Sequence, residues 1–249
     1  MNYDTIYLNQ FIRDAKPGGR FDGLNNQMLR SFGKEQTFYQ GIPEIFEKTK
    51  RLLENDPLAK EYNIEVEHYI VSTGFAEVIR GTSLMDYVSG VWGCELIEDE
   101  DENGNRRISE IGYTIDNTTK TRALFEICKG VNIDPNIDVN TKMSDDQRRV
   151  DFRNMIYIAD GPSDVPAFSL TKKNGGSTFA IYPKGNERAF RQANQLCKDG
   201  RIDMFAEADY REGSTSYMWI CQKIKDLAES IKAAEASKRN FGSVPQHLD

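Results

Sequence analysis

Two aspartates that follow a short apolar run are the first residues whose types and spacing could do chemistry. The segment "NMIYIADGPSDVPAF" (residues 154–168) places Asp160 directly after the apolar run and Asp164 four residues later, with turn-forming residues between them. Two carboxylates held by a tight turn suit a hard cation such as Mg²⁺, which prefers oxygen ligands. The alternative is a structural turn in which Asp164 caps a helix that begins at Pro166. Because Asp160 and Asp164 follow a strand-like run, we regard a metal site and this structural turn as equally well supported.

A serine at the end of another strand-like run could bind phosphate. In "VEHYIVSTG" (residues 66–74) the apolar residues give way to Ser72, Thr73 and Gly74, and helical spacing follows. A hydroxyl that ends a strand can bind a phosphate oxygen, while the N–H groups of the next helix share its negative charge. Ordinary turn and capping chemistry is the alternative. We predict that Ser72, Thr73 and Gly74 bind phosphate.

Lys120 is a third candidate because its place in a helix is unfavourable. The segment "TTKTRALFEICKG" (residues 118–130) predicts a helix that is capped by Thr118 or Thr119 and ends at Gly130. A lysine in the first turn faces the positive end of the helix dipole. An anion beside it would remove this penalty, and a solvated surface lysine is the alternative. We predict that Lys120 neutralises a bound phosphate.

The charge and the lack of long apolar runs exclude several classes of protein. The net charge is −7 and the pI is about 5.1, so no basic stripe is present to displace counterions from duplex nucleic acid. No apolar run approaches the roughly 18 residues that span a bilayer. The N-terminus has no secretory signal pattern. We predict a cytoplasmic protein with neither a nucleic-acid partner nor a membrane partner.

Cysteine and histidine offer few candidates for chemistry. The four cysteines are widely separated, with no C-x-x-C pair, and we expect small core residues rather than a zinc site or disulfides. The two histidines are His68, inside a strand-like run, and His247, in a polar tail. We expect His68 to be a packed or surface strand residue. Carboxylates, lysine and hydroxyls must therefore do any chemistry.

The candidate residues lie on strands that alternate with helices along the chain. Helical spacing is present over residues 3–14 and 24–32 and after Pro43, and Asn103-Gly104 predicts the turn of a charged hairpin. Strands are predicted within residues 66–74, 88–97, 155–159, 175–182 and 202–210. Further helices are predicted after residue 75, over residues 118–129, from residue 166, over residues 187–197, and over a C-terminal segment with apolar residues at Ile220, Ile224, Leu227 and Ile231.

This alternation predicts an α/β fold. We expect a three-layer, Rossmann-like, mostly parallel sheet with helices on both faces. In such sheets ligands bind beyond the carboxyl ends of the strands. Ser72 and Asp160 both follow the end of a predicted strand, so they are expected to lie at that edge.

The three candidate segments together resemble motifs of the haloacid dehalogenase superfamily of phosphohydrolases. "YIVSTGF" is similar to the second motif, close to the "VSGGF" type of phosphoserine phosphatases; "TKTRALFEICKG" is similar to the third, and "YIADGPSDVPAF" to the fourth, usually G-D-G-x-S-D. Ala159 replaces the usual first glycine. The resemblance spans residues 41 to about 216. It implies a partial helical cap at residues 1–40, an α/β core at 41–237 and a flexible tail at 238–249.

The resemblance implies a Mg²⁺-dependent phosphatase that acts on a small phosphorylated metabolite. In that family an aspartate attacks the phosphoryl group, and water then hydrolyses the aspartyl-phosphate. Asp160 would hold the Mg²⁺, with Asp164 supporting it from nearby. Lys120 would neutralise the nucleophile and the phosphate, and Ser72 would orient a phosphate oxygen.

The family's first motif, a strand that ends in D-x-D-x-T, has no match. Asp4 follows no apolar strand, and the acidic run Asp99–Asp101 comes after the second motif, in the wrong order. The chain would then begin inside the cap, and the strands that bear Ser72 and Asp160 would be about 10 Å apart with unpaired edges, because neighbouring strands are normally about 4.8 Å apart. We expect an incomplete gene product that is inactive alone. Strands that close up, or a segment supplied by another chain, are the alternatives.

Two other functions stay open. A non-catalytic remnant could bind phosphate or Mg²⁺, or dock onto a partner, without chemistry. An unrelated nucleotide-binding α/β domain is the third hypothesis, although the sequence contains neither G-x-x-x-x-G-K-[ST] nor G-x-G-x-x-G.

Overall fold

The computed structural model describes residues 3–241. The tail expected at residues 238–249 lies for the most part outside them. The helices are α1 (Tyr3–Asp14), α2 (Asn26–Gly33), α3 (Glu44–Arg51), α4 (Pro57–Glu61), α5 (Ala76–Arg80), α6 (Thr119–Lys129), α7 (Val165–Lys173), α8 (Glu187–Lys198) and α9 (Thr215–Phe241). The strands are β1 (Tyr69–Phe75), β2 (Gly90–Glu100), β3 (Arg106–Tyr113), β4 (Ile156–Ala159), β5 (Ser177–Tyr182) and β6 (Met204–Glu207). None of these helices has the length and hydropathy needed to cross a bilayer.

The described residues fall into two compact units. One lies within Met1–Phe38 and His68–Ala206, and the other within Tyr39–Glu67 and Glu207–Asp249. The first unit contains every candidate residue and both sheets, apart from Glu207 at the end of β6. The domain boundaries that the sequence suggests stay predictions.

The first sheet contains β1, β2 and β3 in that order. β1 and β2 run parallel, with Ile70 opposite Val91, and the second half of β2 continues as an antiparallel hairpin with β3. Gly104 in the hairpin turn has φ 81°, a left-handed conformation that glycine adopts without a steric penalty. The turn predicted at Asn103-Gly104 is confirmed.

The second sheet contains β4, β5 and β6 in that order, and β4 and β5 run parallel. The prediction of an α/β fold that contains parallel strand pairs is therefore confirmed. The strands form two sheets rather than one, and among the described residues no strand pairs with the outer edge of β1 or of β4. These are the two strands for which the sequence analysis expects unpaired edges.

One hydrophobic core links the two sheets within the first unit. Val71 of β1 and Trp92 of β2 pack against the cluster that fills the space beneath α6, α7 and α8. The fully buried ring of Phe168 on α7 belongs to this cluster. Because burial of apolar area is the main favourable contribution to folding, this shared core holds the ends of β1 and β4 in one structure.

Two helices from the N-terminal segment cover the first sheet. Ile12 of α1 and Leu29 of α2 form a cluster with Leu96 of β2 and Ile108 of β3. The helical spacing that the sequence shows over residues 3–14 and 24–32 is confirmed.

The second unit is built from α3, α4 and α9. Leu53, Ala59 and Ala228 form its buried cluster. Asp56 caps α4, where its carboxylate accepts from the backbone N–H groups of Leu58 and Ala59. None of the candidate residues belongs to this unit.

Candidate functional site

A buried ion pair lies at the centre of the candidate site. Lys120 Nζ is 2.6 Å from Asp164 Oδ1, and the two residues are only 6% and 2% exposed. Lys120 is in the first turn of α6, and Asp164 is the last residue of a 3₁₀ turn that follows β4. The anion that the sequence predicts beside Lys120 is thus, in this structure, a carboxylate of the protein itself.

Both carboxylate oxygens of Asp164 accept hydrogen bonds. Tyr157 Oη donates to Oδ1 at 2.6 Å, and Ser163 Oγ is 3.1 Å from Oδ2. Together with Lys120, these donors engage both carboxylate oxygens. Since a buried carboxylate is costly unless it is paired, this set of donors compensates for the burial of Asp164.

The phenol of Tyr157 is held in its neutral form. Burial raises the pKa of Tyr157 most, and the negative charge of Asp164 and, to a smaller extent, that of Asp160 raise it further. Tyr157 therefore acts as a hydrogen-bond donor to Asp164 at neutral pH.

The start of α6 is capped by Asp116. Its Oδ1 accepts from the backbone N–H groups of Thr118 and Thr119, at 2.8 Å each. Thr118 occupies the N-cap position, as predicted, but its side chain makes no capping bond. Thr119 Oγ1 accepts from the backbone N–H of Asp116 at 2.6 Å, so the side-chain cap itself comes from Asp116. The negative charge of Asp116 also offsets the positive end of the dipole that Lys120 faces.

A chain of contacts connects the end of β1 to the start of α6. Ser72 Oγ accepts from the backbone N–H of Gly74 at 3.0 Å, within the irregular last part of β1 rather than after the strand. Cys94 Sγ lies 3.3 Å from the carbonyl oxygen of Thr73 and 3.3 Å from the backbone nitrogen of Ile115. Ile115 directly precedes the residue that caps α6, so the phosphate-binding candidates lie beside the N-terminus of this helix.

Asp160 differs from Asp164 in exposure and contacts. It follows β4 directly and is exposed, and no described residue donates a hydrogen bond to its carboxylate. Its two oxygens are therefore open to a cation from solvent.

The described residues form no ready-made site for Mg²⁺. Across residues 3–241, no three His, Cys, Asp or Glu side chains are grouped so as to hold a metal ion. Asp164 could become a ligand only by giving up its protein donors. One carboxylate, with waters and substrate phosphate oxygens, is nevertheless enough for the Mg²⁺ sites of many phosphate-transferring enzymes.

The structure thus brings together only some of the predicted residues. Lys120 and Asp164 are in contact, and Asp160 lies between the end of β4 and the turn that carries Asp164. Ser72 lies at the end of the neighbouring sheet, and no hydrogen bond joins it to Lys120 or to either aspartate within the described part of the chain. Phosphate binding by Ser72, Thr73 and Gly74 stays a prediction.

Three contributors to the site were not predicted from the sequence: Tyr157, Ser163 and Asp116. Tyr157 carried a usable signal, because a tyrosine inside an apolar strand buries its hydroxyl and then needs a polar partner. Ser163 and Asp116 carried no such signal, because both stand in turns where any short polar residue is common.

A cavity of about 310 Å³ lies elsewhere in the first unit. Its lining includes Trp92, Glu95, Tyr113 and Glu126, and none of the candidate residues borders it. Trp92 Nε1 donates to Glu126 at 2.7 Å beside this cavity. The cavity is therefore not part of the candidate site.

Comparison with known proteins identifies one relative of unknown activity. The chain is 34% identical over 234 residues to an uncharacterized protein of Borreliella burgdorferi, and the match covers 89% of this chain and 78% of the relative. No family model matches the chain, and no solved structure matches it.

Proposed function

The chain belongs to one family with this Borreliella burgdorferi protein, and we propose that it provides the metal and phosphate site of a haloacid dehalogenase-like phosphohydrolase. The substrate would be a small phosphorylated metabolite. The observation that carries the proposal is the buried pair that Lys120 of α6 forms with Asp164, in the segment after β4 that begins with the exposed Asp160. In this proposal the sheets and their helices form a three-layer, Rossmann-like core, and α1 and α2 form a partial helical cap.

Lys120 would bind the phosphate while it stays paired with Asp164. An ammonium group has three N–H donors. Asp164 Oδ1 and Ser163 Oγ lie within 2.6 and 3.4 Å of Lys120 Nζ, so they account for two of the three. The third donor can bind a phosphate oxygen or an incoming carboxylate. Asp164 and Tyr157 act as positioning residues, because they fix where the charge of Lys120 lies.

Asp160 would hold a Mg²⁺ ion through its open carboxylate oxygens. When bound, the ion would supply positive charge against the phosphate oxygens. Asp164 supports this site only through Lys120, because its own oxygens are engaged. Ser72 would turn its hydroxyl towards a phosphate oxygen, while it still accepts from the N–H of Gly74.

The proposed reaction needs a carboxylate nucleophile that the described residues do not place at the site. An aspartate oxygen would form a bond to phosphorus while the ester oxygen of the substrate leaves with a proton from a second aspartate two residues further on, which would take a proton back from the attacking water in the next step. Water would then attack phosphorus, release orthophosphate and restore the aspartate. A segment that is not among the described residues would supply this aspartate, and Lys120 would offset its charge.

Turnover of an aryl phosphate tests this proposal. The purified chain with Mg²⁺ should not hydrolyse p-nitrophenyl phosphate at ordinary enzyme rates. Addition of a peptide in which an apolar strand ends in D-x-D-x-T should produce turnover that Asp160→Asn abolishes. The matched control is Glu187→Gln, an 85% exposed acid on α8, which should retain it. Ordinary turnover by the chain alone contradicts the proposal.

A non-catalytic phosphate-binding protein is the second candidate. The observation that favours it is the complete engagement of Asp164 by Lys120, Tyr157 and Ser163. Mg²⁺-dependent phosphate binding without any turnover, even with the added peptide, supports this second candidate over the enzyme.

A further inference from the structure

We propose that the cavity of about 310 Å³ beside Trp92 and Glu126 binds a small organic ammonium ion. Its volume lies at the lower end of the range of about 300–1,000 Å³ that is typical of small-molecule sites. The inference is independent of the proposed function, because none of the candidate phosphate and metal residues lines this cavity. The class of ligand follows from the groups that form the wall.

The cavity lies where the pairing between β2 and β3 ends. The segment Gly90–Gly93 of β2 lies beside β1, and β3 pairs with β2 only from Glu95 onward, where Tyr113 is the last partner. Among the described strands, none pairs with the other side of Gly90–Gly93. This segment lines the cavity together with Tyr113, with Glu126 of α6 and with Asn132, which follows that helix. The cavity therefore occupies the space beside β2 that β3 leaves open.

The wall of the cavity carries two carboxylates, and no described lysine, arginine or histidine lines it. Glu95 and Glu126 belong to the wall, whereas Arg80 and Arg122, which bind these acids, do not. Glu126 is 8% exposed, and its two oxygens accept from Arg122 Nε at 2.8 Å and from Trp92 Nε1 at 2.7 Å. A carboxylate has about four acceptor sites, so Glu126 keeps acceptor capacity for a further donor. The wall thus favours a ligand that donates hydrogen bonds and carries positive charge.

The charge of Glu126 is not cancelled at the cavity by its arginine partner. Burial raises the pKa of Tyr113 most, and Glu126 raises it further, by more than Arg122 lowers it. The side chain of Arg122 is 54% exposed and that of Glu126 only 11% exposed, so solvent screens the guanidinium more than the carboxylate. The potential beside Tyr113 is therefore negative, which stabilises a cation.

Two aromatic side chains select an organic cation rather than a metal ion. Trp92 and Tyr113 both line the cavity, and a ligand cation within about 6 Å of the face of such a ring is attracted to it. A hard metal ion needs several oxygen ligands, and within residues 3–241 no three His, Cys, Asp or Glu side chains are grouped to hold one.

The hydroxyl of Tyr113 gives a second indication of a ligand. Its oxygen is buried and has no hydrogen-bond partner in the described part of the chain. A buried hydroxyl without a partner costs free energy. A hydroxyl or N–H group on an ammonium compound that enters beside this ring would supply the partner.

Calorimetric titration of the full chain tests the inference with two matched pairs of probes. Choline is compared with its neutral isostere 3,3-dimethylbutan-1-ol, and n-butylammonium is compared with butan-1-ol. At least one ammonium ion should bind at least tenfold more tightly than its neutral counterpart. In Trp219→Phe, Trp92 is the only tryptophan, and the same ammonium ion should change its fluorescence.

Three variants locate the binding in this cavity. Glu126→Gln removes the charge and keeps an acceptor for Trp92, so it should weaken binding at least tenfold. Tyr113→Phe should weaken binding about threefold or more without lowering the midpoint of thermal unfolding, because no described residue bonds to this hydroxyl. The matched control is Glu110→Gln, an exposed acid on β3 that does not line the cavity, which should leave binding unchanged.

The inference is overturned if neither ammonium ion binds at 10 mM, or if the neutral compounds bind as tightly. It is also overturned if Glu126→Gln, still folded by circular dichroism, weakens binding no more than Glu110→Gln does. If Glu126→Gln does not fold, Tyr113→Phe decides, and unchanged binding in that variant overturns the inference. Because neither phosphate binding nor turnover is read, failure of this test is distinguishable from failure of the proposed function.

Discussion

Lys120 Nζ and Asp164 Oδ1 lie 2.6 Å apart in the interior of the protein and join the start of α6 to the turn after β4. A buried ion pair adds little net stability compared with an apolar pair, but loss of one partner leaves the other charge uncompensated. The pair therefore fixes the position of α6 relative to the turn after β4. Substitution of one partner alone should destabilise the protein more than replacement of both partners by apolar residues.

Substitution of this pair should be strongly non-additive. Lys120→Met should lower the free energy of unfolding by about 3–5 kcal/mol, because Asp164 is left charged and buried. The double variant Lys120→Met with Asp164→Leu should be less destabilised than the sum of the two single variants. Urea unfolding measures all three.

The control for this cycle is the exposed pair Arg191–Glu187 on α8, whose side chains are 71% and 85% exposed. Arg191→Met should change the unfolding free energy by less than about 1 kcal/mol, as is usual for surface pairs. Additive effects at Lys120 and Asp164 would show that the two charges do not depend on one another.

Removal of one hydroxyl should weaken the same cluster. Tyr157→Phe deletes the donor to Asp164 Oδ1 and keeps the ring that packs against Phe168. We expect a loss of about 1.5–3 kcal/mol, the usual value for a hydrogen bond to a charged group. Thermal and urea unfolding measure it. The matched control is Tyr7→Phe, where the ring is 53% exposed and the effect should stay within about 0.5 kcal/mol. Equal effects of the two substitutions would contradict this role for Tyr157.

The stability of the second sheet should depend on pH through Asp203. Burial alone would raise the pKa of this carboxyl, but hydrogen bonds from Lys172 and Thr178 outweigh it and lower the pKa. A lowered pKa in the folded state stabilises the protein fully above the unfolded value of about 3.9, and this contribution disappears as the pH falls through the lowered value.

The difference in unfolding free energy between the wild-type chain and Asp203→Asn should therefore be largest near neutral pH and should shrink as the solution is acidified below about pH 4. Urea unfolding at a series of pH values measures this difference. A difference that stays constant, or that grows in acid, would be evidence against the hydrogen bonds that Lys172 and Thr178 make.

The positions of the helices and strands could be predicted from the sequence, but the directions in which the candidate side chains point could not. Periodicity located α6 and β4, and with them the neighbourhood of Lys120 and Asp160, because a strand end and a helix start are visible in composition. The spacing of Asp160 and Asp164 could not tell which acid points inward. That difference arises from the 3₁₀ turn at Pro162–Asp164, which turns Asp164 into the core and leaves Asp160 exposed.

The division of the strands into two sheets could not be predicted from local sequence patterns either. The apolar run of β4 predicts a strand with neighbours on both sides, and only the assembled structure shows that one neighbour is not among the described strands. Likewise, Thr118 and Asp116 are both good caps by residue type. The structure shows that the side-chain cap comes from Asp116.

Calorimetric titration of orthophosphate into the wild-type chain, with and without Mg²⁺, tests the central claim most directly. We predict that phosphate binds only when Mg²⁺ is present. Asp160→Asn should weaken this binding at least tenfold, about 1.4 kcal/mol, whereas Glu187→Gln should leave it unchanged. Phosphate binding of equal strength in the wild-type chain and in Asp160→Asn, or no Mg²⁺-dependent binding at all, would contradict the account.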